Sequence, residues 1–377
     1  MLSRTALLAG LLWLPACSDG PSTPEPQAQQ SSDGWQRQQV GTSVAALEAS
    51  LQGMQASGLH EQLLTAVEAL RAAPGKQWKK LDGWAIRSAE LNYYHKWCTP
   101  DAETGASMKA LDFAAKTHPV HAIAAIADDL EAHGIELLVI PIPKRAQVYP
   151  DRLPGVEQAG SDFAGIDPGY AAVMLELARR GVSIVDLLPD MARTRYDRSG
   201  TDDEYLFHHY DPHWTPRGAE IAADLIASAI ASYPWFEAGA AVEGEDFQVE
   251  RKHGEWAFVV DKELQEEKQP ELLWFRQMRK PDGGKVETEA RDSPYLLLGD
   301  SFTTHLAAAG SDIVSLLYAR LEQPLDVIAI PQGGARPVWD ALARRRDKLE
   351  GKRVVIWLVS ASVFANQNLQ KVELFGG

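Results

Sequence analysis

Two short clusters in this sequence contain the residue types of nucleophilic catalysis. The first follows an apolar run and reads Gly299-Asp300-Ser301-Phe302. A glycine at a tight turn and a serine opening a helix would place Ser301 at the edge of a sheet, where the helix N-terminus stabilises an anion. The pattern is shorter than the G-x-S-x-G elbow, because residue 303 is Thr. A simple helix cap is the alternative interpretation of Ser301.

The second cluster contains an aspartate and several histidines. Asp211 and His213 are two residues apart, so an extended segment would present both side chains on one face. Pro212 between them favours an extended conformation at Asp211. The carboxylate would then hold one imidazole nitrogen, and the other nitrogen would take a proton from a serine hydroxyl. The two clusters together predict a triad of Ser301, His213 and Asp211.

The same histidines leave a metal site as a competing interpretation. His209, Asp211 and His213 alternate along the chain, and His208 is adjacent to them. Three nitrogen or oxygen ligands are sufficient to bind zinc and to activate water. Such a metal-dependent hydrolase would leave Ser301 without a role. The favoured interpretation, a serine triad, needs no metal and no cofactor.

Composition and charge exclude several classes of function. The chain has 377 residues, of which 45% are hydrophobic and 24% charged, as in globular proteins. Its net charge of −15 argues against nucleic-acid binding, which depends largely on neutralising phosphates, and against charge-driven docking to anionic lipid. The cysteines, Cys17 and Cys98, are too few for a disulfide scaffold. We expect Cys98 to pack as a small hydrophobic residue.

The N-terminus has the pattern of an export signal. One basic residue precedes an apolar run at 6–14 that is too short to span a bilayer, and Cys17 follows shortly after. A cysteine at this place resembles a bacterial lipobox, which predicts a signal peptide at 1–17 and lipidation of Cys17; an ordinary cleaved signal is the alternative. Residues 18–34 are rich in Ser, Pro and Gln and are predicted to form a flexible linker. Ser18 resembles the sorting residue for the outer membrane, which predicts a periplasmic protein anchored there.

Residues 35–377 alternate short apolar strands with helical patterns. Strands are predicted at 136–143, 182–188, 295–298, 325–330 and 353–359, and helices at 44–73, 167–181, 216–233, 303–308 and 337–350. This alternation predicts a three-layer α/β domain with a mostly parallel central sheet. Residues 239–292 are charged and interrupt the alternation, so we expect an inserted excursion that forms a lid or a rim.

The two clusters resemble the SGNH-hydrolase superfamily and, more narrowly, the alginate O-acetyltransferase (AlgX/AlgJ) family. The resemblance extends over about 83–357 and is carried by the stretches 210–219 and 298–302, supported by 83–84 with 90–91, 141–144 with 148–151, and 333–336. The Asp-x-His pair precedes the serine, the reverse of most SGNH hydrolases, and this permuted order resembles the acetyltransferase branch. Because only 76 residues follow Ser301, we expect the single-domain AlgJ type rather than the AlgX type with its carbohydrate-binding domain.

The resemblance implies an SGNH-like fold and a polysaccharide O-acetyltransferase that works through an acetyl-serine. Ser301 would be the nucleophile, His213 the general base and acid, and Asp211 the residue that orients His213. The N–H groups of Ser301, Gly333 and Gly334 are the predicted donors to the oxyanion, because glycine allows a close backbone approach. A helix-start turn is the alternative role for the two glycines.

The predicted substrate contacts are aromatic and basic. Trp214 and Trp339 are expected to stack on sugar rings, and Lys144 and Arg336 to meet an anionic polymer such as a uronate. The implied partners are a polysaccharide acceptor and a membrane-bound O-acyltransferase that supplies acetyl groups. The sequence departs from the family after Trp357, where an acidic–basic pair is missing.

Two alternatives to the acetyltransferase stay open. One is an acetyl esterase, since water and a sugar hydroxyl can attack the same acyl-enzyme. The other is a catalytically inactive, polysaccharide-binding lipoprotein.

Overall fold

The computed structural model describes residues 29–30, 36–81, 83–98, 109–156, 165–198, 205–236, 248–256, 264, 271–333, 335–345, 347–365 and 369–375. The predicted signal peptide and its Cys17 lie outside these residues. Gln29–Gln30, within the predicted linker, pairs with Gln36–Arg37 as a short antiparallel ribbon. Among the described helices, none has the length and apolar composition needed to cross a bilayer.

The described strands are numbered along the chain. They are β1 (Gln29–Gln30), β2 (Gln36–Arg37), β3 (Trp78–Leu81), β4 (Trp84–Arg87), β5 (Glu136–Ile142), β6 (Ser183–Ile184), β7 (Gln248–Trp256), β8 (Glu271–Arg279), β9 (Tyr295–Gly299), β10 (Asp326–Ala329) and β11 (Val354–Ser360).

The described helices are numbered in the same way. They are α1 (Val44–Ala56), α2 (Leu59–Ala72), α3 (Ser88–Tyr93), α4 (Pro119–Glu131), α5 (Arg145–Val148), α6 (Pro168–Arg179), α7 (Leu188–Thr194), α8 (Pro216–Ala231), α9 (Ser301–Thr304), α10 (Ile313–Leu321) and α11 (Arg336–Ala343). Shorter helical turns lie at Tyr94–Cys98, Lys109–Leu111, Pro150–Arg152, Ala307–Ala309 and Ala361–Ala365.

One parallel sheet forms the centre of the molecule, with the strand order β10-β9-β11-β5-β6. Every residue of β5 and β9 is buried. Since successive side chains of a strand point to opposite faces, the sheet is covered on both faces. This confirms the predicted α/β fold with a parallel central sheet. The carboxyl ends of β5, β9 and β10 therefore lie along one edge, where a site in an open α/β sheet is expected.

Helix α8 begins where the sequence predicts. The Thr215 side chain accepts a hydrogen bond from the Gly218 N–H, and Pro216 occupies the first turn, where its missing N–H costs nothing. A Cβ at Gly218 would lie 2.2 Å from the carbonyl oxygen of Leu206. Glycine therefore allows the loop before α8 to pack directly on the first turn of that helix.

Three predicted elements are shorter in the structure. Strand β6 pairs with β5 and forms one further bridge, from Ile184 to Gly41, and it retains two residues of the predicted 182–188. The predicted helix 303–308 begins earlier, as α9, and ends at Thr304, before Leu306 takes a positive φ of 71°. The predicted helix 337–350 begins at Arg336 and ends at Ala343.

The predicted excursion at 239–292 contains a ribbon of two antiparallel strands, β7 and β8. Strand β8 packs against α8 and α10. The sequence of the excursion predicts short strands around Phe258 and at 272–275. The second lies within β8, and Phe258 lies outside the described residues. The first residue of β8, Glu271, reaches the candidate active site, as described below.

Candidate active site

The segment that carries Ser301 turns directly from β9 into α9. The Asp300 side chain accepts a hydrogen bond from the Phe302 N–H at 3.0 Å, so Asp300 caps the helix and Ser301 is its first residue. A Cβ at Gly299 would lie 1.9 Å from the Oγ1 of Thr303. Only glycine fits between strand and helix here, and its small size sets the position of Ser301. The alternative in which Ser301 caps the helix therefore does not apply.

The segment that carries Asp211 and His213 is a closed loop. Its ends are joined by hydrogen bonds from the His208 N–H to the His213 carbonyl, 3.1 Å, and from the Thr215 N–H to the Leu206 carbonyl, 2.9 Å. The backbone bends at each residue from 209 to 213, so the predicted extended conformation is wrong. A turn brings the pair together instead, because Asp211 Oδ1 accepts the His213 backbone N–H at 2.9 Å.

Arg145 binds the backbone of this loop. It lies in α5, directly after β5, and only 3% of its surface is exposed. Its Nη1 donates to the carbonyl oxygens of His208 at 2.8 Å and His209 at 3.0 Å, and its Nη2 donates to that of Ala85. The guanidinium therefore joins the loop to the end of β5 and to strand β4.

The side chains of Asp211, His213 and Ser301 form one continuous chain of hydrogen bonds. Asp211 Oδ1 lies 2.6 Å from His213 Nδ1, and His213 Nε2 lies 2.8 Å from Ser301 Oγ. The carboxylate is buried, whereas the imidazole and the hydroxyl are partly exposed. The aspartate thus holds the imidazole with Nε2 toward the hydroxyl, which is the arrangement that activates a serine.

The carboxyl groups of Asp211 and Asp300 have opposite electrostatic environments. Burial by itself would raise the pKa of Asp211, but the hydrogen bond and the charge of His213 lower this pKa to about 2. Burial raises the pKa of Asp300, and the Phe302 N–H only partly opposes that effect. Asp211 is therefore the carboxylate that stays ionised and stabilises an imidazolium at His213.

The backbone at Ser301 has one donor suited to an oxyanion. Within the described residues no acceptor lies within hydrogen-bond reach of the Ser301 N–H, as expected at the start of a helix. The N–H of Gly333 donates to the Ile330 carbonyl at 2.8 Å, so it is engaged in its own turn, as the helix-start alternative expects. Gly334 lies outside the described residues.

The metal ligands expected from the sequence are not brought together. His209 packs against Trp84, with ring centroids 5.2 Å apart, and His305 takes its place beside Asp211 and His213. The carboxylate of Asp211 and the ring nitrogens of His213 and His305 include atoms that lie within 4.8 Å of one another. Both ring nitrogens of His213 are already hydrogen bonded, to Asp211 and to Ser301. A metal would have to replace the contacts that build the triad.

The two tryptophans do not form a sugar-binding surface, so this prediction is wrong. Trp214 and Trp339 are fully buried in the main hydrophobic core. Trp214 packs edge-on against Phe302, 5.2 Å between centroids, and Trp339 against Trp357, 5.3 Å. Trp214 is nevertheless part of the site's support, since its neighbour His213 and its contact Phe302 both adjoin Ser301.

The predicted basic residues have different surroundings. Lys144 is half-buried, with its Nζ 4.6 Å from the centroid of the Tyr93 ring, and burial lowers its pKa. Arg336 forms an ion pair with Asp340 at 2.5 Å on the surface of α11. Cys98 is buried, as expected, and its thiol lies 3.3 Å from a carboxylate oxygen of Asp167.

Sequence reasoning missed three residues that contact the site. His305 stacks on His213, Glu271 bonds to the loop, and Arg145 supports it. His305 follows Ser301 by four residues, and this spacing brings side chains together on a helix. The sequence therefore contained a signal for His305. Arg145 follows β5 directly after Lys144, the residue that the sequence predicts as a substrate contact. Nothing in the sequence around Glu271 marks it, because its contact depends on how the ribbon folds back.

Comparison with known proteins places this arrangement in a family. A family model described as the SGNH hydrolase-like domain of the acetyltransferase AlgX matches residues 97–361. The chain belongs to this family. The match includes every member of the triad and the five strands of the parallel sheet, so the resemblance inferred from the two motifs is confirmed.

Individual members of the AlgX/AlgJ group match over shorter segments. The alginate biosynthesis protein AlgX of Pseudomonas aeruginosa and the probable alginate O-acetylase AlgJ of Pseudomonas syringae pv. tomato are each 29% identical to this chain over 126 residues. Each match covers 33% of this chain, and 25% and 28% of the respective relative. The matched segment therefore spans about a quarter of the length of these relatives.

A solved structure shows the same fold. The O-acetyltransferase domain of Pseudomonas putida AlgJ aligns with a TM-score of 0.53 and 20% identity, covering 75% of this chain and 90% of that domain. The parallel sheet predicted from the alternating pattern is thus shared with this domain.

Proposed function

We propose that this protein is an O-acetyltransferase that transfers acetyl groups to an extracytoplasmic, alginate-like polysaccharide through an acetyl-Ser301 intermediate. The observation that carries the proposal is the 2.8 Å contact between His213 Nε2 and Ser301 Oγ, backed by the 2.6 Å contact between His213 Nδ1 and Asp211. Membership of the AlgX family and the likeness to the AlgJ domain support the same chemistry.

The proposed reaction has two halves. In the first, His213 Nε2 takes the hydroxyl proton of Ser301, Oγ attacks the acetyl carbonyl, and the leaving group departs with the proton from His213. In the second, His213 takes the proton of a sugar hydroxyl, whose oxygen attacks the acetyl-serine. The Ser301 oxygen then leaves and takes the proton back. The Ser301 N–H stabilises the oxyanion in both halves, together with donors that the substrate-bound state completes.

The proposal extends to location and partners. The N-terminal pattern supports export to the periplasm, with Cys17 lipidated for attachment to the outer membrane and residues 18–34 as the tether. A membrane-bound O-acyltransferase would supply the acetyl group, and a polysaccharide would accept it. Lys144 and Arg336, near the carboxyl ends of β5 and β10, are the proposed contacts for acidic sugars.

Acetyl transfer can be measured directly. The protein is incubated with p-nitrophenyl acetate and with oligomers of uronic acid from alginate, and the oligomers are analysed by mass spectrometry. We expect a mass increase of one acetyl group per modified hydroxyl and faster nitrophenol release when oligomer is present. Ser301→Ala should abolish both signals, whereas the exposed Ser362→Ala should leave both unchanged.

Two other results would replace the proposal. Acetate release at a rate that the oligomers do not alter, with unmodified oligomers, would identify an acetyl esterase that uses the same triad. Activity that a chelator removes and zinc restores would favour the metal-dependent hydrolase.

A further inference from the structure

We propose that His208 and His305 form a buried clamp that holds the two halves of the triad at reacting distance. The inference rests on the proposed function and assigns these two histidines the part of positioning residues. The halves are far apart in the sequence, since His213 and Ser301 are separated by 88 residues. His213 is carried by a loop of consecutive bends, and Ser301 by the one-turn helix α9.

The backbone attaches each clamp histidine to one member of the triad. The His208 N–H donates to the carbonyl oxygen of His213 at 3.1 Å, and the His305 N–H donates to that of Ser301 at 2.9 Å. The clamp is closed by the side chains, whose Nε2 atoms lie 3.0 Å apart. This bond is a second side-chain link between the loop of His213 and the segment of Ser301, beside the His213–Ser301 hydrogen bond itself.

The clamp also fixes the plane of the catalytic imidazole. The rings of His305 and His213 are stacked, with centroids 4.4 Å apart and an angle of 12° between their planes. Phe302 contacts the His213 ring at 4.7 Å, tilted by 58°. The stack limits rotation of His213 about its side-chain bonds, so that Nε2 remains directed at the Ser301 hydroxyl.

Glu271 anchors the outer end of the clamp. Its carboxylate accepts from His208 Nδ1 and, at 2.8 Å, from the His209 N–H. An acceptor at Nδ1 places a proton there, so a neutral His208 presents Nε2 as an acceptor to His305. If His208 is protonated, its Nε2 donates to His305 instead. The bond therefore requires a proton on one of the two Nε2 atoms and a free lone pair on the other.

The surroundings keep the bond intact over a wide range of pH. Asp211, His208 and His213 face the His305 ring, and Glu271 faces His208, with Arg145 donating to the His208 carbonyl. Burial, followed by the charges of His208 and His213, lowers the pKa of His305 to about 2. Burial raises the pKa of Glu271, but the hydrogen bonds and charges of His208 and His209 together outweigh burial and lower this pKa.

Leucine and glutamine substitutions separate the clamp from simple filling of space. His208→Leu and His305→Leu remove the hydrogen bond and replace the imidazole with an apolar side chain of similar volume. We expect each to lower kcat on p-nitrophenyl acetate about 100-fold, the cost of a misplacement of about 1 Å, with KM within about threefold of wild type. His305→Gln places an amide near the original Nε2, so it should recover kcat to within about fivefold.

A double-variant cycle gives the decisive measurement. If both leucine substitutions break the same bond, the double variant should be no slower than the slower of the two single variants, within about threefold. Leu306→Ala is the matched control, because it opens a buried space next to His305 without removing a polar group. When Leu306→Ala is combined with His208→Leu, the two fold-losses in kcat should multiply. Leucine variants with full activity, or effects of the two that multiply, would overturn the clamp.

The clamp and the proposed function fail in different experiments. A wild-type protein that releases no acetate and acetylates no oligomer would refute the proposed function. Urea unfolding of wild type, His208→Leu, His305→Leu and the double variant would then test the clamp. Losses in the free energy of unfolding that are not additive support the clamp, and additive losses overturn it.

Discussion

Replacing Asp211 with asparagine is the substitution that probes the proposed mechanism most directly. Asp211 Oδ1 accepts both the backbone N–H and the ring Nδ1 of His213. The amide of Asp211→Asn keeps the size and one acceptor but loses the charge. When its NH₂ group turns toward the ring, His213 carries its proton on Nε2 and no longer accepts the Ser301 hydroxyl proton.

The magnitude follows from the geometry and from the pKa. The pKa of Asp211 falls from 3.8 to about 2 in the folded protein, and the side chain is almost completely buried. At about 1.36 kcal/mol per unit, the folded state favours the carboxylate by roughly 2.5 kcal/mol, which limits the stability lost with the charge. The rate should fall further, by about 10³–10⁴-fold or roughly 4–5.5 kcal/mol of barrier, as for the equivalent change in serine hydrolases.

The assay is nitrophenol release from p-nitrophenyl acetate at pH 7.5, with urea unfolding measured on the same samples. Asp224→Asn, at an exposed position paired with Arg320, is the matched control and should change neither quantity by more than experimental error. An Asp211→Asn protein that is folded and retains more than a tenth of wild-type kcat would show that the 2.6 Å contact does not orient the base. The assignment of roles in the triad would then be incorrect.

Four further outcomes are expected. Gly299→Ala should reduce kcat at least tenfold, because the new Cβ would meet Thr303 Oγ1 at 1.9 Å and displace the helix of the nucleophile. Trp339→Ala should cost about 3–5 kcal/mol in urea unfolding and leave KM for oligomers unchanged, because this ring fills the core. Lys144→Ala should raise KM for uronate oligomers several-fold while leaving p-nitrophenyl acetate hydrolysis unaffected. Between an unfolded pKa of 6.5 and a folded pKa of about 2, His305 is protonated only in the unfolded chain, so stability falls with falling pH. From pH 7.5 to 5 this loss is about 2 kcal/mol, and urea titrations of His305→Gln should lack it.

The sequence alone was sufficient to predict the parallel sheet and to select three residues that the structure joins by hydrogen bonds. Continuous apolar runs such as the one that forms β5 occur where a strand is buried on both faces, and this local property reads directly from residue order. Asp211, His213 and Ser301 could also be selected from the sequence, because each lies in a short motif whose residue types are rare together. The start of α8 was predicted for the same reason, since Thr215 and Pro216 act within one turn.

Tertiary structure decided everything that depends on contacts between distant segments. Trp214 and Trp339 looked suitable for sugar rings because aromatic residues serve equally in cores and in clefts, and only packing distinguishes the two. Glu271 reaches the site from the ribbon, and no local pattern in the sequence marks this contact. The loop that contains the turn at 209–213 is attached to the sheet by Arg145, which is distant in sequence and binds the carbonyls of His208 and His209. Residue types and short spacings thus determined which chemistry is present. The three-dimensional fold determined which side chains support it, because burial and long-range hydrogen bonds arise only when separate segments meet.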